Sequence, residues 1–490
     1  MTEKPAHGIA RNTAYNLAGS ILPIVVTLVT VPLYLHQVGQ ARYGVLAIMW
    51  LILGYFSIFD MGLSRATSNL TAKLRDGHAE ERQRLFWTAV SMNAVFGIAG
   101  GACFWLLGDL LLGDVIKMPS ELRLEVLTTV PWIAIAIPVL TVVGVFTGTL
   151  EGNNHFLAIN IISTLGSIMF ALVPLAVALM WSSSLLWLIP AAVITRVIFA
   201  IPLFIAALHT LPNRRVSRPS KLLARTLLGY GGWVMVTNIL GPILETADRL
   251  LIGSVLGVSA VTDYSIPFNL ADRLRIIPAA LSRTLFSHLS TLVEQPAKQA
   301  TRTGVRMLGK VMTLVICLGI FGIHLFISVW INPHFAEKAA PLGEILLLGV
   351  WINGVAFLPF SLLQSQGRPD IVARFHAFEF IPFLGILWLS MYWFGLPGAA
   401  MAWTLRVVID AGLLFAAAGL TRAILSDLWP AVLAMGLSLI LAASLPDYSL
   451  LKWGLGVVLM ASLASWVWKT EPKLRQMVIG SRYFPRRIAG

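Results

Sequence analysis

Apolar residues fill this chain in long blocks, each closed by a short run of charges, prolines or glycines. Fourteen blocks are long enough to cross a bilayer: residues 13–35, 43–68, 85–112, 126–150, 156–180, 184–208, 226–250, 262–287, 306–330, 339–365, 371–394, 397–420, 427–444 and 450–469. The region 226–287 is the hardest to divide. A hydrocarbon core of about 30 Å takes roughly 20 residues of helix. Within it only helices or closed barrels satisfy every backbone amide and carbonyl. The pattern therefore predicts an all-α polytopic membrane protein with 14 transmembrane helices.

The loops between blocks alternate between rich and poor in Lys and Arg. With both termini cytoplasmic, the inner segments hold 25 of the 36 basic residues. The outer loops hold five: Arg42, Lys117, Arg123, Lys338 and Lys452. That asymmetry sets orientation by the positive-inside rule. It also accounts for the net charge of +13, which is spread over every second loop rather than gathered on one basic face, so nucleic acid is excluded as a partner. A hydrophobic share of 57%, a charged share of 12% and a mean hydropathy of +0.80 leave no room for a separate soluble domain. The first block follows Lys4 and Arg11, exceeds the apolar core of a signal peptide and reads as a retained helix. The two cysteines, Cys103 and Cys317, both lie in apolar blocks and form neither a disulfide framework nor a zinc site.

The blocks group into an N-terminal lobe of helices 1–6 (1–208), a basic cytoplasmic linker (209–225), a C-terminal lobe of helices 7–12 (226–424), and helices 13–14 with a basic tail (425–490). Pro212, Arg214, Arg215, Arg218 and Pro219 mark the linker. The halves echo one another. Leu150-Glu151-Gly152-Asn153-Asn154-His155 closes helix 4, as Leu363-Gln364-Ser365-Gln366-Gly367-Arg368 closes helix 10. Asn16…Tyr43 parallels Asn238…Tyr264. Two six-helix repeats of one topology place a transport pathway at their interface.

Catalytic motifs are missing. Gly304-Val305-Arg306-Met307-Leu308-Gly309-Lys310-Val311 approaches a phosphate-binding loop, but Val311 stands where Ser or Thr should hold Mg²⁺ and no strand precedes it. There is no HExxH, paired CxxC or GxSxG. Glycine pairs at Gly97/Gly101, Gly144/Gly148, Gly148/Gly152 and Gly253/Gly257 signal close helix packing. Prolines within spans, Pro138, Pro278 and Pro382 among them, signal kinks.

Ionisable residues inside the spans say most. A charge near the bilayer centre costs from about 3 to above 10 kcal/mol, so it needs a partner or a wet cavity. Asp60, Arg196, Glu245, Asp248, Arg249, Asp272, Arg273, Arg275, Arg283, Glu379, Arg406 and Asp410 are so placed. Glu245/Arg249, Asp272/Arg275 and Arg406/Asp410 stand at helical spacing for local pairs, and such pairs often only fix packing. Arg196, Arg273 and Arg283 have no evident partner in their own helix. Arginine forks suit a phosphate or carboxylate. The candidate substrate residues are thus Arg196, Arg273, Arg275 and Arg283. Asp60, Asp248, Arg249, Asp272 and Asp410 are the candidates for ion coupling, with a purely structural role as the alternative. Tyr230, Trp233, Tyr264 and Phe268 stand where they could stack on sugar rings, although packing is the plainer use.

Two stretches carry a resemblance. Val38-Gly39-Gln40-Ala41-Arg42-Tyr43-Gly44-Val45 with Phe59-Asp60-Met61-Gly62-Leu63, matched by Asp248-Arg249-Leu250-Leu251-Ile252-Gly253…Leu256-Gly257…Tyr264 in the second half, resembles Wzx-type polysaccharide flippases. Those belong to the superfamily of multidrug and toxin extruders and lipid II flippases. The resemblance implies two six-helix lobes around a central cavity, with two further C-terminal helices. It also implies movement of undecaprenyl-pyrophosphate-linked oligosaccharide repeat units from the cytoplasmic to the outer leaflet of a bacterial inner membrane. Of the candidate site residues, Asp60, Asp248 and Arg249 fall in motif positions.

The expected function is alternating-access flipping, with no enzyme activity and no cofactor beyond a coupling H⁺ or Na⁺. Its partners would be the lipid-linked oligosaccharide, membrane lipids and other polysaccharide-assembly proteins. The rivals are a multidrug exporter with an acid-dominated cavity, a lipid II flippase separable only by substrate, and a polysaccharide polymerase, which would need a large outer loop that this chain lacks.

Overall fold

Helices make up nearly all of the computed structural model, as the length of the apolar blocks requires. The structure describes residues 5–55, 60, 62–74, 79–213, 215–230, 232–289, 292–421, 426–447 and 449–471; side chains are described from Leu22 onward, except at 55, 229–242, 283, 284, 287, 288 and 369. Among these residues nine helices are long and apolar enough to cross a membrane, and a shorter apolar helix covers Trp429–Ser444. The chain divides into two compact units, Met1–Thr262 and Asp263–Gly490. The expected linker, 209–225, lies within the first.

In the first unit α1 (Pro5–Tyr55) is two helices joined at Gly39, whose φ of 79° only glycine adopts without strain. The expected second span then breaks. Its apolar run continues past Tyr55, but Gly62 takes a left-handed conformation (φ 76°) and a new helix, α2 (Leu63–Lys73), begins. There follow α3 (Ala79–Gly108), which runs on as a π-helical turn over Asp109–Val115, and α4 (Ser120–Leu127). Next come α5 (Val130–Gly152), α6 (Phe156–Met180), α7 (Leu185–His209), α8 (Lys221–Tyr230) and α9 (Gly232–Val255). Ser184 caps α7 by accepting from the Leu186 amide.

Helix α5 is the hub, packed on α2, α3 and α7. Its glycine stripe explains the closeness: a Cβ on Gly148 would sit 2.3 Å from the Ser64 carbonyl oxygen, and one on Gly152 would sit 2.6 Å from that of Ser68. On the α3 side Gly97 and Gly101 lie against Pro138 and the Ala134 carbonyl. The stretch before α8 is docked rather than free. The Arg215 carbonyl accepts from Gln83 Nε2 and Trp87 Nε1, and the Ser220 amide donates to Thr88 Oγ1 at 3.0 Å. Leu227 of α8 is buried with Leu63, Leu85 and Phe86.

Helix α10 (Val258–Asp272) straddles the boundary between the units. The second unit continues through a 3₁₀ turn at Arg273–Arg275, α11 (Ile276–Leu289), α12 (Glu294–Trp330) and α13 (Pro333–Ser365). Asn332 caps α13, accepting from the Phe335 amide at 2.8 Å, with Pro333 in the first turn where its missing N–H costs nothing. Helix α14 (Pro369–Ala417) is again two limbs, joined at Gly395 (φ 61°). α15 (Trp429–Ser444) and α16 (Leu450–Thr470) complete the unit, both packed on α12.

Ion networks tie both ends of α16. At one, Lys310 Nζ donates to Glu471 Oε1 (2.8 Å) and Thr470 Oγ1 (2.9 Å), with Arg306 3.0 Å from the same carboxylate. At the other, Asp447 pairs with Lys452 (2.5 Å) and His324 (3.2 Å). The segment Gly304–Val311 is plain helix within α12, and its Lys310 is spent on Glu471.

Candidate functional site

In the first unit an arginine stands among aromatics. Arg196 lies halfway along α7, and its guanidinium carbon sits 4.1 Å over the Phe170 ring of α6. Phe170 neighbours Trp50, centroids 6.1 Å apart, and Trp50 packs edge-on against Tyr34 (5.3 Å) and Tyr43 (5.9 Å). Tyr34 spends its hydroxyl on the Ala171 carbonyl at 2.8 Å. Arg196 Nε and Trp50 Nε1 are different: both are buried donors without a hydrogen-bond partner among the described residues. Unanswered donors near flat apolar rings are the chemistry that an anionic or hydroxyl-rich group would match. Of these residues the sequence singles out only Arg196; Trp50, Phe170 and Tyr34 join it through the fold.

Asp60 is used locally. Its carboxylate accepts from the Ser64 amide (3.1 Å), Ser64 Oγ (2.8 Å) and Asn93 Nδ2 (2.8 Å). It thus caps α2 where the span breaks, with a negative charge at the positive end of a helix. Thr141 of α5 donates to the Asn93 carbonyl at 3.1 Å, which ties α2, α3 and α5 together at this point. Asp248 is fully buried, accepts from the Arg249 amide (2.7 Å) and faces Arg249 Nη1 at 3.4 Å. Arg249 Nη1 also donates to the Glu245 carbonyl at 2.7 Å.

One further pair closes the first unit. Arg42 donates to both oxygens of Glu125 (2.7 and 3.3 Å), which also accepts from the Leu185 amide at 3.0 Å. Burial pushes the Glu125 carboxyl up. The hydrogen bonds from Arg42 and the amide outweigh it and hold the group below its ordinary value.

In the second unit the expected eighth span breaks at the 3₁₀ turn that carries Arg273 and Arg275. A mid-span 3₁₀ turn marks strain or a hinge. Arg275 Nη1 pairs with Asp272 at 2.7 Å, as the spacing predicts, and stands 5.6 Å over Phe357. Arg273 is exposed. Arg283 lies on α11, and its side chain is outside the described residues, as are those of Asn16, Tyr230, Trp233 and Asn238. Tyr264 and Phe268 are buried packing residues, with Phe268 edge-on to Trp403 at 5.0 Å.

The two limbs of α14 carry a second polar group. Arg406 lies 3.6 Å from Glu379, and Asp410 lies 4.0 Å from His376. Charge thus meets charge across the hairpin, where helical spacing had predicted a pair between Arg406 and Asp410 along one helix. His376 was missed in the sequence. Its place three residues before Glu379, on the same helical face, is the signal that could have found it.

The family model for "Polysaccharide biosynthesis protein" matches residues 9–293. The chain belongs to that family. A Shigella flexneri protein described as "Putative O-antigen transporter" is 28% identical over 412 residues, covering 83% of this chain and 96% of that protein. Among solved structures, an inward-facing multidrug resistance MATE family transporter of the MOP superfamily superposes with a TM-score of 0.67 at 11% identity, covering 84% of this chain and 99% of that one. The lipid II flippase MurJ, inward closed, gives a TM-score of 0.66 at 13% identity, covering 92% and 99%. The protein is therefore a helical membrane protein of the polysaccharide biosynthesis family, with the MATE- and MurJ-like fold.

Proposed function

We propose that the protein flips undecaprenyl-pyrophosphate-linked oligosaccharide repeat units from the cytoplasmic to the outer leaflet of a bacterial inner membrane by ion-coupled alternating access. In this reading the chain crosses the membrane 14 times with both termini cytoplasmic, in two six-helix lobes followed by two more helices. The kinked α1 and α14 each supply two crossings. Family membership and the likeness to the Shigella protein support the substrate class.

The observation that carries the reading is Arg196: a guanidinium halfway along an apolar helix, stacked on Phe170, with an unanswered Nε, while Trp50 on the other side of the same aromatic cluster has an unanswered indole N–H. A pyrophosphate or acidic sugar answers both donors, and the rings receive a sugar face. Arg273, Arg275 and Arg283 extend the basic provision in the second unit. Asp60, Asp248, Arg249, Asp272 and Asp410 are its structural or coupling charges. A drug-exporting relative would handle cations, which an unpaired arginine repels.

Deleting the gene in its host tests the proposal. The expected result is accumulation of lipid-linked oligosaccharide in the cytoplasmic leaflet with loss of surface polymer. Intact polymer with new sensitivity to cationic drugs would replace flipping with drug export.

A further inference from the structure

Helix α14 turns back at Gly395, so residues from its two limbs meet. His376 and Glu379 from the first limb face Arg406 and Asp410 from the second. All four side chains are largely buried, Glu379 with only 4% exposed. One fixed positive charge is thus shared by two carboxyl groups, next to one histidine.

The hydrogen bonds do not close. Glu379 and Asp410 are gathered at one point: Glu379 lies 3.6 Å from Arg406, one turn before Asp410, and Asp410 lies 4.0 Å from His376, one turn before Glu379. Ionised, both are acceptors and neither satisfies the other. Both oxygens of Glu379, Oδ1 of Asp410 and Nδ1 of His376 are buried without a hydrogen bond among the described residues; the charges nearest Glu379 Oε2 and Asp410 Oδ1 stand farther off, Arg406 Nε at 3.6 Å and His376 Nε2 at 4.0 Å. Buried polar atoms left with no hydrogen bond call for a partner.

One proton removes the conflict. Placed between the carboxyls, it turns one of them into a donor and makes a hydrogen bond of the acceptor clash. It also brings the charge to zero: Arg406 against one remaining carboxylate, with His376 neutral. Helix α13, packed along α14, has no ionisable residue from Ile345 to Ser365, and Asp370 and Arg374 on α14 pair with each other.

A metal ion fits poorly. Sodium-sized cations take several oxygen ligands, whereas Arg406 already stands against Glu379. Among the described residues no three His, Cys, Asp or Glu side chains are placed to hold a metal. A small, mostly apolar cavity of about 100 Å³, which Glu379 and Arg406 line together with Phe378, Phe383, Ile386 and Ile409, adjoins the group.

We propose that Glu379 and Asp410, with Arg406 and His376 beside them, form a binding site for a single exchangeable proton shared by the two carboxyl groups. Use of that proton to drive transport rests on the flippase reading above; its binding does not.

Infrared titration of the purified full-length protein in lipid nanodiscs, without substrate, separates the two. The wild type shows a protonated-carboxyl C=O band at neutral pH that disappears on alkalinisation. Because one proton is shared, both E379Q and D410N lose that same band completely, since in either variant the remaining carboxylate is matched by Arg406. R374Q, on the same helix but paired with Asp370 outside the group, keeps it and serves as the folded control, alongside unchanged melting of the near-isosteric E379Q. Loss of the band in only one carboxyl variant, or in neither, overturns the shared site. Displacement of the band by sodium at constant ionic strength, against choline, would make it a metal site and also overturn the proposal. A failed titration with normal flipping leaves the transport reading intact, and a titrating site in a protein that flips nothing removes the transport reading alone.

Discussion

A guanidinium halfway through α7 costs several kcal/mol unless something answers it. Stacking of Arg196 on Phe170 returns about 0.5–2 kcal/mol, which does not cover that cost. The balance is the argument for an anionic ligand. R196Q should reduce flipping about tenfold to hundredfold, the worth of one charge-assisted hydrogen bond. R196K should fall between, because an ammonium keeps the charge and loses the planar fork. Reconstituted vesicles carrying a fluorescent pyrophosphate-linked saccharide report both, and equal rates for all three proteins would remove Arg196 from the pathway. Asp60 obeys the opposite logic, since its carboxylate is fully answered by Ser64 and Asn93. D60A should lower stability by about 2–4 kcal/mol, the sum of a lost cap and a stranded Asn93 amide. D60N, which keeps an acceptor, should lose less, as thermal melting in detergent would show. Sequence marked both residues as charges in apolar blocks, but it could not say which was satisfied. That depends on Asn93 and Phe170, neutral residues 33 and 26 positions away in the chain.

At the scale of elements, the glycine stripe of α5 and the Arg42–Glu125 clip make separable predictions. G148A would place a methyl 2.3 Å from the Ser64 carbonyl oxygen, which is backbone and cannot swing aside. We expect a loss of about 1–3 kcal/mol. G436A in α15 meets nothing within 4 Å and should gain up to about 1 kcal/mol from helix propensity. Opposite shifts of the melting temperature would confirm that contact, not glycine content, sets the difference. Glu125 sets a pH dependence. Its carboxyl lies below its ordinary value when folded, so its contribution is complete above the unfolded carboxylate range and is lost as pH falls through the depressed folded value. Wild-type stability should therefore drop on acidification by more than that of E125Q, and parallel curves would exclude the clip as a source. Helix existence was legible because a membrane demands long apolar blocks. The breaks at Gly62 and at Arg273–Arg275 were not, because apolar composition continues straight through them.

At the scale of the molecule, the sequence left the purpose of the last two helices open, since they fall outside the two six-helix repeats it led one to expect. Their packing on α12 and the ion networks at both ends of α16 make them part of the second unit. Lys310 is 5% exposed and Glu471 2%. Removing one charge of such a pair strands the other, at about 3–5 kcal/mol, while replacing both with apolar groups is often neutral. E471Q should thus deplete the protein from the membrane, and the double variant K310M/E471L should restore its abundance. Surface polymer, measured in the same cells, then decides what the helices are for. If α15 and α16 only complete the bundle, polymer returns with abundance. If they handle substrate, through the lipid tail or a partner protein, an undisturbed helix pair on a silent clamp would still restore both. The discriminating arm is therefore a third protein, with the clamp intact and exposed lipid-facing residues of α16 such as Val457 and Val458 changed to alanine. Normal abundance with reduced polymer would assign these helices a part in transport; normal abundance with normal polymer would leave them a structural brace.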